Sequence, residues 1–269
     1  RWTTGARIVI DQNISSFSTG VGFGPINTTY PTMEIVTNGY LFLSDNLYIN
    51  DSDSLIINEG FLSGNFSILT LGIESAVEVK AGTFECESCD IGMGNDATIV
   101  NNGGNLIFRG GEGDTRVIAN DTDQEYEIIN NSGFVEFRET QFENLKGGGV
   151  TFNGGQIGTM NSLQFSNSPN ASAYITFGGV VADDLTFNDI EFSQGPLNNV
   201  RKLVASGTGN INMAGTVGDF TGPAFELVEA GTITWFNFDL YDDFGLDFGG
   251  TGQHVLISGG PDFTAPFTI

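Results

Sequence analysis

The chain has 269 residues, of which 39% are hydrophobic and 23 are Phe, so it holds enough apolar material for a sizeable core. Its 33 acidic and 9 basic residues leave a formal net charge of −24, which repels nucleic-acid phosphates and anionic membrane surfaces. No stretch approaches the ~20 consecutive apolar residues of a membrane-spanning helix. We therefore expect neither a nucleic-acid partner nor a membrane span.

The N-terminal segment, residues 1–34, begins at Arg1, as an exported chain does once its leader has been removed. It contains one short apolar strand, which is available either to cap the rest of the fold or to pair with another subunit: Arg7, Ile8, Val9 and Ile10. Export is also compatible with seven Asn-x-Ser/Thr sequons, at Asn13, Asn27, Asn50, Asn65, Asn120, Asn130 and Asn170. The expected location is therefore secreted or at the cell surface.

Residues 35–269 are predicted to form one domain, because a short pattern recurs along them. An apolar residue three positions before a glycine, with Asn or a small residue between, can be followed through Gly39, Gly60, Gly82, Gly103, Gly133, Gly155, Gly179, Gly207, Gly231 and Gly260. Two of these glycines, Gly133 and Gly179, lack the apolar residue. An asparagine stands two places before several of them, at Asn58, Asn101, Asn131 and Asn153. The steps of 21 to 30 residues predict a structural repeat.

Each repeat also alternates apolar and polar residues, which indicates short β-strands. Examples are the pairs Leu41/Leu43, Leu55/Ile57, Leu185/Phe187, Ile211/Met213 and Ile233/Trp235. One repeat has room for about three such strands, and no segment has the pattern of an amphipathic helix. Helix-free repeats of this length match the stacked coils of a β-solenoid.

In this repeat style, from roughly Ile35 to Ile257, the chain resembles the right-handed parallel β-helix (pectin-lyase-like) superfamily of polysaccharide-degrading enzymes, phage tailspikes and bacterial surface adhesins. The resemblance is to the surface and adhesin type, and no motif narrows it to one protein. It implies an all-β, single-stranded parallel β-helix (β-solenoid) of about ten coils with no substantial helix. Inward aliphatic and Phe side chains would stack along the axis, and Asn amides at successive turns would bond to one another.

The only cysteines, Cys86 and Cys89, form a Cys-x-x-Cys sequence. Such a pair serves as a redox centre, as half of a zinc site or as a local disulfide. Zinc would need a second Cys pair or a His cluster, which the sequence lacks, and a thioredoxin-like role needs the motif at a helix start. For an exported, strand-rich chain we predict a disulfide between Cys86 and Cys89, with free thiols as the alternative.

Catalysis would rest on a small set of residues in the second half of the chain. Asp183-Asp184 and Arg201-Lys202 resemble the Asp-Asp and Arg-x-Lys elements of polygalacturonases, but Asn-Thr-Asp and Gly-His-Gly are missing. The single histidine, His254, follows the basic pair, whereas that family places its histidine before the pair. Solvated turn charges explain these residues without catalysis. We therefore predict that the chain is not an enzyme.

Two acidic runs are the candidates for cation binding. The first alternates Asp121, Asp123 and Glu125, and the second contains Asp239, Asp242, Asp243 and Asp247. Ca²⁺ takes six to eight oxygen ligands, and neither run has the full spacing of a known Ca²⁺ loop. We predict no cofactor, and Ca²⁺ at the first run is the alternative to a solvated acidic turn.

Three functional classes remain: a structural subunit, a glycan-binding adhesin module, and a polysaccharide lyase or hydrolase. An open β-helix exposes unpaired backbone groups at its ends, and neither terminal segment contains an amphipathic helix to cover them. Trp235, Phe236 and Phe238 are the aromatic candidates for glycan contact. We predict an exported subunit of a cell-surface or extracellular filament, which self-associates through its terminal strands. The adhesin module is the alternative, and the enzyme comes third.

Overall fold

The computed structural model describes residues 6–11, 29–36, 40–43, 46–65, 67–111, 113–179, 184–193, 195–196, 198–202, 209–229 and 231–236. These residues form a parallel β-solenoid of about nine turns. The predicted all-β architecture of about ten stacked coils is therefore confirmed. Within these ranges the helical structure is one 3-10 turn at Pro223–Phe225, and no helix there has the length and apolarity to cross a membrane.

The strands are short at both ends of the chain and longest in its middle. In chain order they are β1 (Arg7–Ile10), β2 (Thr29–Tyr30), β3 (Thr32–Ile35), β4 (Tyr40–Leu43), β5 (Leu47–Ile49), β6 (Ser54–Ile57), β7 (Phe61–Asn65), β8 (Ile68–Leu71), β9 (Ala76–Val79), β10 (Thr83–Glu87), β11 (Asp90–Met93), β12 (Thr98–Arg109), β13 (Thr115–Ala119), β14 (Tyr126–Glu143), β15 (Leu145–Phe152), β16 (Gln156–Ser166), β17 (Ile175–Phe177), β18 (Leu185–Phe192), β19 (Val200–Lys202), β20 (Ile211–Ala214), β21 (Leu227–Val228) and β22 (Ile233–Phe236).

Three parallel faces enclose the core, because each turn contributes one stretch of strand to each face. Face A contains β1, β3, β6, β9, the starts of β12 and β14, and then β15, β17, β19 and β21. Face B contains β4, β7, β10, the end of β12, the middle of β14, the starts of β16 and β18, and then β20 and β22. Face C contains β2, β5, β8, β11, β13 and the ends of β14, β16 and β18. We call the bends from A to B, B to C and C to A the first, second and third corners.

The core consists of inward side chains stacked in columns along the axis. On face A an aliphatic column aligns the buried residues Leu55, Val77, Ile99, Ile128, Val150 and Ile175. An aromatic column runs beside it, with ring centroids 5.0 Å apart for Phe108 and Phe137 and 5.1 Å apart for Phe142 and Phe165. Each fully buried side chain of this size stabilises the fold by about 1.5–3 kcal/mol, so the columns supply much of the energy that holds the turns together.

Stacked glycines form the first corner. The backbone N–H of Thr83 donates to the carbonyl of Gly60 at 2.9 Å, and that of Asn105 donates to Gly82 at 2.8 Å. A Cβ on Gly82 would lie under 3.0 Å from the Gly60 carbonyl oxygen, and Gly104, Gly133 and Gly155 are equally crowded by the turn before them. The repeat read from the sequence is therefore real, but the fourth turn contributes Gly104 to this stack and not Gly103. Only residues without a Cβ fit where the backbone of one turn lies directly on the next.

Asparagine amides reinforce the same corner in two separate ladders. In the inner ladder, buried Asn101 donates to Asn130 Oδ1 at 2.8 Å, and Asn130 donates to the Gly154 carbonyl at 2.5 Å. In the outer, exposed ladder, Asn131 donates to Asn102 and Asn153 donates to Asn131, both at 2.9 Å. The expected bonding between amides of successive turns is thus present. The sequence had aligned Asn101 with Asn131, whereas the structural partner of Asn101 is Asn130.

Candidate functional site

The predicted assembly strand is the terminal strand of face A. Residues Arg7, Ile8, Val9 and Ile10 form β1, which pairs in parallel with Thr32–Ile35 of the same chain. Ile10 is buried and Ile8 is half-buried against the core, while Val9 points outward with 49% of its surface exposed. Within the described residues, β1 pairs along one edge only. The strand thus joins the stack of its own chain, and none of the described strands pairs with its second edge.

The described strands of residues 1–34 belong to the same stack as the strands from β4 to β22. β1 and β2 pair with β3 and β5, and β3 itself extends across position 34. On face A, Arg7 forms an ion pair with Glu34, which also accepts a hydrogen bond from Asn58. Glu34 is only 4% exposed, so these two donors compensate a nearly buried carboxylate at the first turns of the solenoid.

Exposed large apolar side chains are concentrated at the ends of the described ladder. Val9 in β1, Leu227 in β21 and Phe236 in β22 are 49%, 37% and 49% exposed, respectively. The other two in the described ranges, Ile68 and Ile73, are 37% and 45% exposed and lie in interior turns, in β8 and just after it. The end strands therefore present apolar surface as well as backbone edges.

The Cys86 and Cys89 side chains are bonded as a disulfide at the second corner, with their Cα atoms 5.8 Å apart. Both residues are buried, with 0% and 3% of their surface exposed. Between them, Ser88 adopts a left-handed conformation with φ of 49°. The preceding turn places Gly64 beside the disulfide, where a Cβ would stand 3.4 Å from Cys89 Sγ. The bond fixes a corner whose surroundings are closely packed.

The first acidic run lies in the third corner between β13 and β14. Asp121 and Asp123 are exposed, and the Asp121 carboxylate accepts a 3.4 Å hydrogen bond from Thr122. Glu125 points elsewhere and accepts from the amide of Asn170, two turns further on. In the part of the chain that the structure describes, no three His, Cys, Asp or Glu side chains form a group that could hold a metal ion. Asp239, Asp242, Asp243 and Asp247 lie outside the described residues.

The residues that resemble polygalacturonase elements fall on different faces. Asp184 directly precedes β18 on face B, and its carboxylate accepts a 2.8 Å hydrogen bond from the backbone of Asn210. Arg201 and Lys202 lie in β19 on face A. The other members of that set, Asp183 and His254, lie outside the described residues. Asp184 therefore acts as a turn acceptor between neighbouring turns.

Ion pairs involve all six basic side chains that the structure describes. Four of these pairs are Arg7–Glu34, Lys80–Glu78, Arg116–Asp90 and Lys146–Asp96. On face B a network spans three turns: Arg109 binds Glu85 at 3.1 Å and Glu136 at 2.9 Å, and Arg138 binds the second oxygen of Glu136 at 3.2 Å. Positive charge is therefore neutralised locally, and the excess of acidic groups defines the remaining surface charge.

An outward aromatic pair on face B was not anticipated from the sequence. Tyr40 and Phe61 occupy one register position in β4 and β7, and their rings stack with centroids 5.0 Å apart and planes 3° apart. Among the predicted aromatics, Trp235 lies half-buried against Phe192, and Phe236 is exposed. Phe238 lies outside the described residues. The 21-residue step from Tyr40 to Phe61 was the available signal, but alternation alone does not say which of two neighbouring rings points outward.

Burial shifts the pKa of two kinds of side chain. It raises the pKa of Tyr126 and of Tyr174, whose hydroxyls donate to the carbonyls of Val117 and Ser193, so both stay neutral. Burial also raises the pKa of the Glu226 carboxyl, and a 2.6 Å hydrogen bond from Trp235 Nε1 opposes that shift. The tyrosines act as structural hydrogen-bond donors inside the solenoid.

Comparison with protein-family models, with curated proteins and with solved structures finds no match to this chain.

Proposed function

We propose that the chain is an exported structural subunit of a cell-surface or extracellular filament, which self-associates through its terminal strands. The observation that carries the proposal is the exposure of apolar side chains on the end strands, at Val9, Leu227 and Phe236. Such surface in contact with water favours association, because its burial is worth about 25 cal/mol per Å².

Strand addition is the mode of contact that this geometry supports best. β1 has a second edge, and Val9 projects from the strand beside it. An incoming strand satisfies backbone groups that water otherwise solvates, and it covers Ile8 and Val9 in the same step. We propose that the parallel ladder continues across the contact, so that the partner at β1 is the opposite end of another copy and the contacts run head to tail without two-fold closure.

The architectural type we propose is the surface and adhesin type of right-handed parallel β-helix, secreted or held at the cell surface and acting without a cofactor. Its support is the three-stranded turn repeated about nine times. The Cys86–Cys89 disulfide favours an oxidising compartment. We also propose that the protein does not cleave polysaccharides. Release of reducing ends from pectin or alginate, abolished by Asp183→Asn or Asp184→Asn, would overturn that part of the proposal.

The test of assembly compares two exposed apolar residues that differ in position along the solenoid. Val9 lies on the end strand, and Ile73 lies in an interior turn, between β8 and β9, with a similar exposure of 45%. Light scattering and electron microscopy of the unmodified chain should show mass rising with concentration and linear particles. Val9→Lys should raise the dissociation constant about tenfold, since a lysine on a strand edge opposes pairing, and Ile73→Lys should leave it unchanged.

A second variant removes the assembly strand altogether. Deletion of residues 1–12 should leave a folded monomer, as judged by circular dichroism and light scattering. A full-length chain that stays monomeric at millimolar concentration would contradict the filament proposal. The same conclusion follows if Val9→Lys and Ile73→Lys weaken assembly equally, because the contact would then not involve the end strand.

The alternative function is a glycan-binding adhesin module, favoured by the outward Tyr40–Phe61 stack on face B. Flat aromatic pairs offer apolar faces against which sugar rings pack. Binding of soluble polysaccharides, measured by affinity electrophoresis, should weaken at least tenfold in Tyr40→Ala and Phe61→Ala. The control is Phe236→Ala, an exposed aromatic at the far end of the same face. Equal migration of all variants would remove this alternative.

A further inference from the structure

The seven sequons differ sharply in what the fold does with them. The structure describes the Asn side chain in four, at Asn50, Asn120, Asn130 and Asn170. Asn13 and Asn27 lie outside the described residues, and the side chain of Asn65 is likewise not described. The four described sequons separate into one that is closed to modification and three that are open.

The closed sequon is Asn130-Asn131-Ser132. Asn130 is 1% exposed, and its amide is committed to the inner ladder, where it accepts from Asn101 and donates to the Gly154 carbonyl. A sugar on its Nδ2 would have to occupy the packed interior of the first corner. The three-residue motif alone predicts a site here, but in the folded chain the Asn130 side chain is not accessible to a transferase.

The open sequons share one edge of the solenoid. Asn50, Asn120 and Asn170 all lie in the third corner, at the bends 50–53, 120–125 and 167–174. All three asparagines are exposed, and so are the hydroxyl residues two positions later, Ser52, Thr122 and Ser172. The Asn120 amide donates one 3.0 Å hydrogen bond to the Leu71 carbonyl, and the Asn170 amide donates to Glu125. An N-linked sugar leaves one amide N–H, so both bonds are compatible with modification.

We propose that Asn50, Asn120 and Asn170 carry N-linked oligosaccharides arranged in a row along the third corner. The inference rests on the proposed export of the chain, because the transfer takes place outside the cytosol. In the reaction the Asn amide nitrogen bonds to the anomeric carbon of a lipid-diphosphate-linked oligosaccharide. The bond from that carbon to the phosphate oxygen breaks, the lipid diphosphate leaves with the electron pair, and the amide loses one proton to the transferase.

The row has a defined spacing and leaves other surfaces free. Three turns separate Asn50 from Asn120 and two separate Asn120 from Asn170, so the sugars stand about 14 Å and about 10 Å apart along the axis. They project from a corner, away from the charged network and aromatic pair of face B. The second edge of β1 is also clear of them. The modification is therefore compatible with end-to-end assembly, and it gives the filament one hydrated side.

The experiment is glycopeptide mass spectrometry of the native protein purified from its source cells. Peptides containing Asn50, Asn120 and Asn170 should carry hexose or hexosamine mass increments in most molecules, and the peptide containing Asn130 should carry none. Thr122 supplies a matched pair of variants when the gene is re-expressed in the same cells. Thr122→Ala should lose the sugar at Asn120 completely, whereas Thr122→Ser preserves the sequon and should retain it.

Unmodified peptides at Asn50, Asn120 and Asn170 in the native protein would overturn the inference, as would a sugar on Asn130 in the folded protein. Light scattering of the same sample separates this result from the filament proposal. An unglycosylated chain that still assembles through β1 leaves the assembly intact and removes only the sugar row. A glycosylated chain that stays monomeric supports the sugar row and removes the assembly proposal.

Discussion

The first and third corners both change the direction of the chain between strands of different faces, but they are built in opposite ways. Between β6 and β16 the first corner has three residues wherever it separates two strands, at 58–60, 80–82 and 153–155, and it is longer in the outer turns, where four residues separate β3 from β4 and β21 from β22. Over the same turns the third corner varies from one residue at Asn144 to four at 72–75, six at 120–125 and eight at 167–174. The first is filled by stacked glycine backbone and buried amides, and the third is exposed and carries the open sequons.

This difference shows which part of a turn determines the fold and which part is free to vary. Between β6 and β16 the carbonyl of one first-corner glycine lies against the glycine of the next turn, so no side chain fits at that position. At the third corner the backbone bonds also continue from turn to turn, as from Ser52 to Ile73 and from Glu74 to Asn95, both at 2.8 Å. Residues inserted there extend into solvent, where their backbone groups are hydrated. We therefore expect stability to depend on the first corner and surface function on the third.

The largest expected effect tests the glycine stack. Gly82→Ala places a methyl group against the Gly60 carbonyl and Ile57, and should lower the free energy of unfolding by about 3 kcal/mol. The control is Gly113→Ala in the second corner, where a Cβ meets nothing within 4 Å. Neither glycine has a positive φ, so the pair isolates steric crowding. Urea unfolding measures both variants, and similar midpoints would contradict the account of the first corner.

The second effect compares neighbouring amides of one turn. Asn130→Ala removes the acceptor for the Asn101 amide and the donor to the Gly154 carbonyl. It should lower the free energy of unfolding by about 2 kcal/mol, because those two groups stay inside the corner without this partner. Asn131→Ala removes a link of the exposed ladder and should change stability by at most about 0.5 kcal/mol. Thermal and urea unfolding of the two variants decide the matter. A larger loss for Asn131→Ala would reverse our assignment of the inner and outer ladders.

The second corner gives an intermediate case, because its disulfide closes only a short loop. Intact mass should rise by two hydrogens on reduction, and Cys86 and Cys89 should resist alkylation until a reductant is added. Replacing both by Ser should cost about 2 kcal/mol, the loop-closure contribution of so short a loop. The control is the same double variant compared with wild type in the presence of reductant, where most of the difference should disappear. Two thiols that are alkylated without reductant would show that the bond is absent.

The sequence predicted the first corner better than the third, for a physical reason. Stacked turns impose a similar spacing along the sequence, so Gly60, Gly82, Gly133 and Gly155 were recognisable as a repeat. The choice between Gly103 and Gly104, or between Asn130 and Asn131, needs the register of a bulged strand, which period-two alternation does not fix. At the third corner length varies freely, so no period marked Asn50, Asn120 and Asn170 as members of one edge. The Tyr40–Phe61 stack was missed because it depends on two turns being superposed.

The smallest expected effect concerns Glu226, at the end of a third-corner bend. Burial raises the pKa of its carboxyl, and the hydrogen bond from Trp235 lowers it by less. The folded chain therefore holds this proton to higher pH than the unfolded chain does. The protonated carboxyl therefore stabilises the folded chain fully at pH values below the pKa that Glu226 has in the unfolded chain. This stabilisation is lost as the pH rises through the higher pKa of the folded chain, and above that pKa it no longer changes with pH.

Trp235 reports this titration directly, because its indole N–H donates to Glu226 at 2.6 Å. In a Trp2→Phe background it is the only tryptophan. Its emission should change with a midpoint above that of an ordinary glutamate. Glu226→Gln should abolish the change and flatten the acid limb of stability against pH, while Glu87→Gln, at an exposed position in β10, should preserve both. An unchanged midpoint in Glu226→Gln would mean that another group titrates near the indole. The Glu226 carboxyl would then not be the group through which this bend makes stability depend on pH.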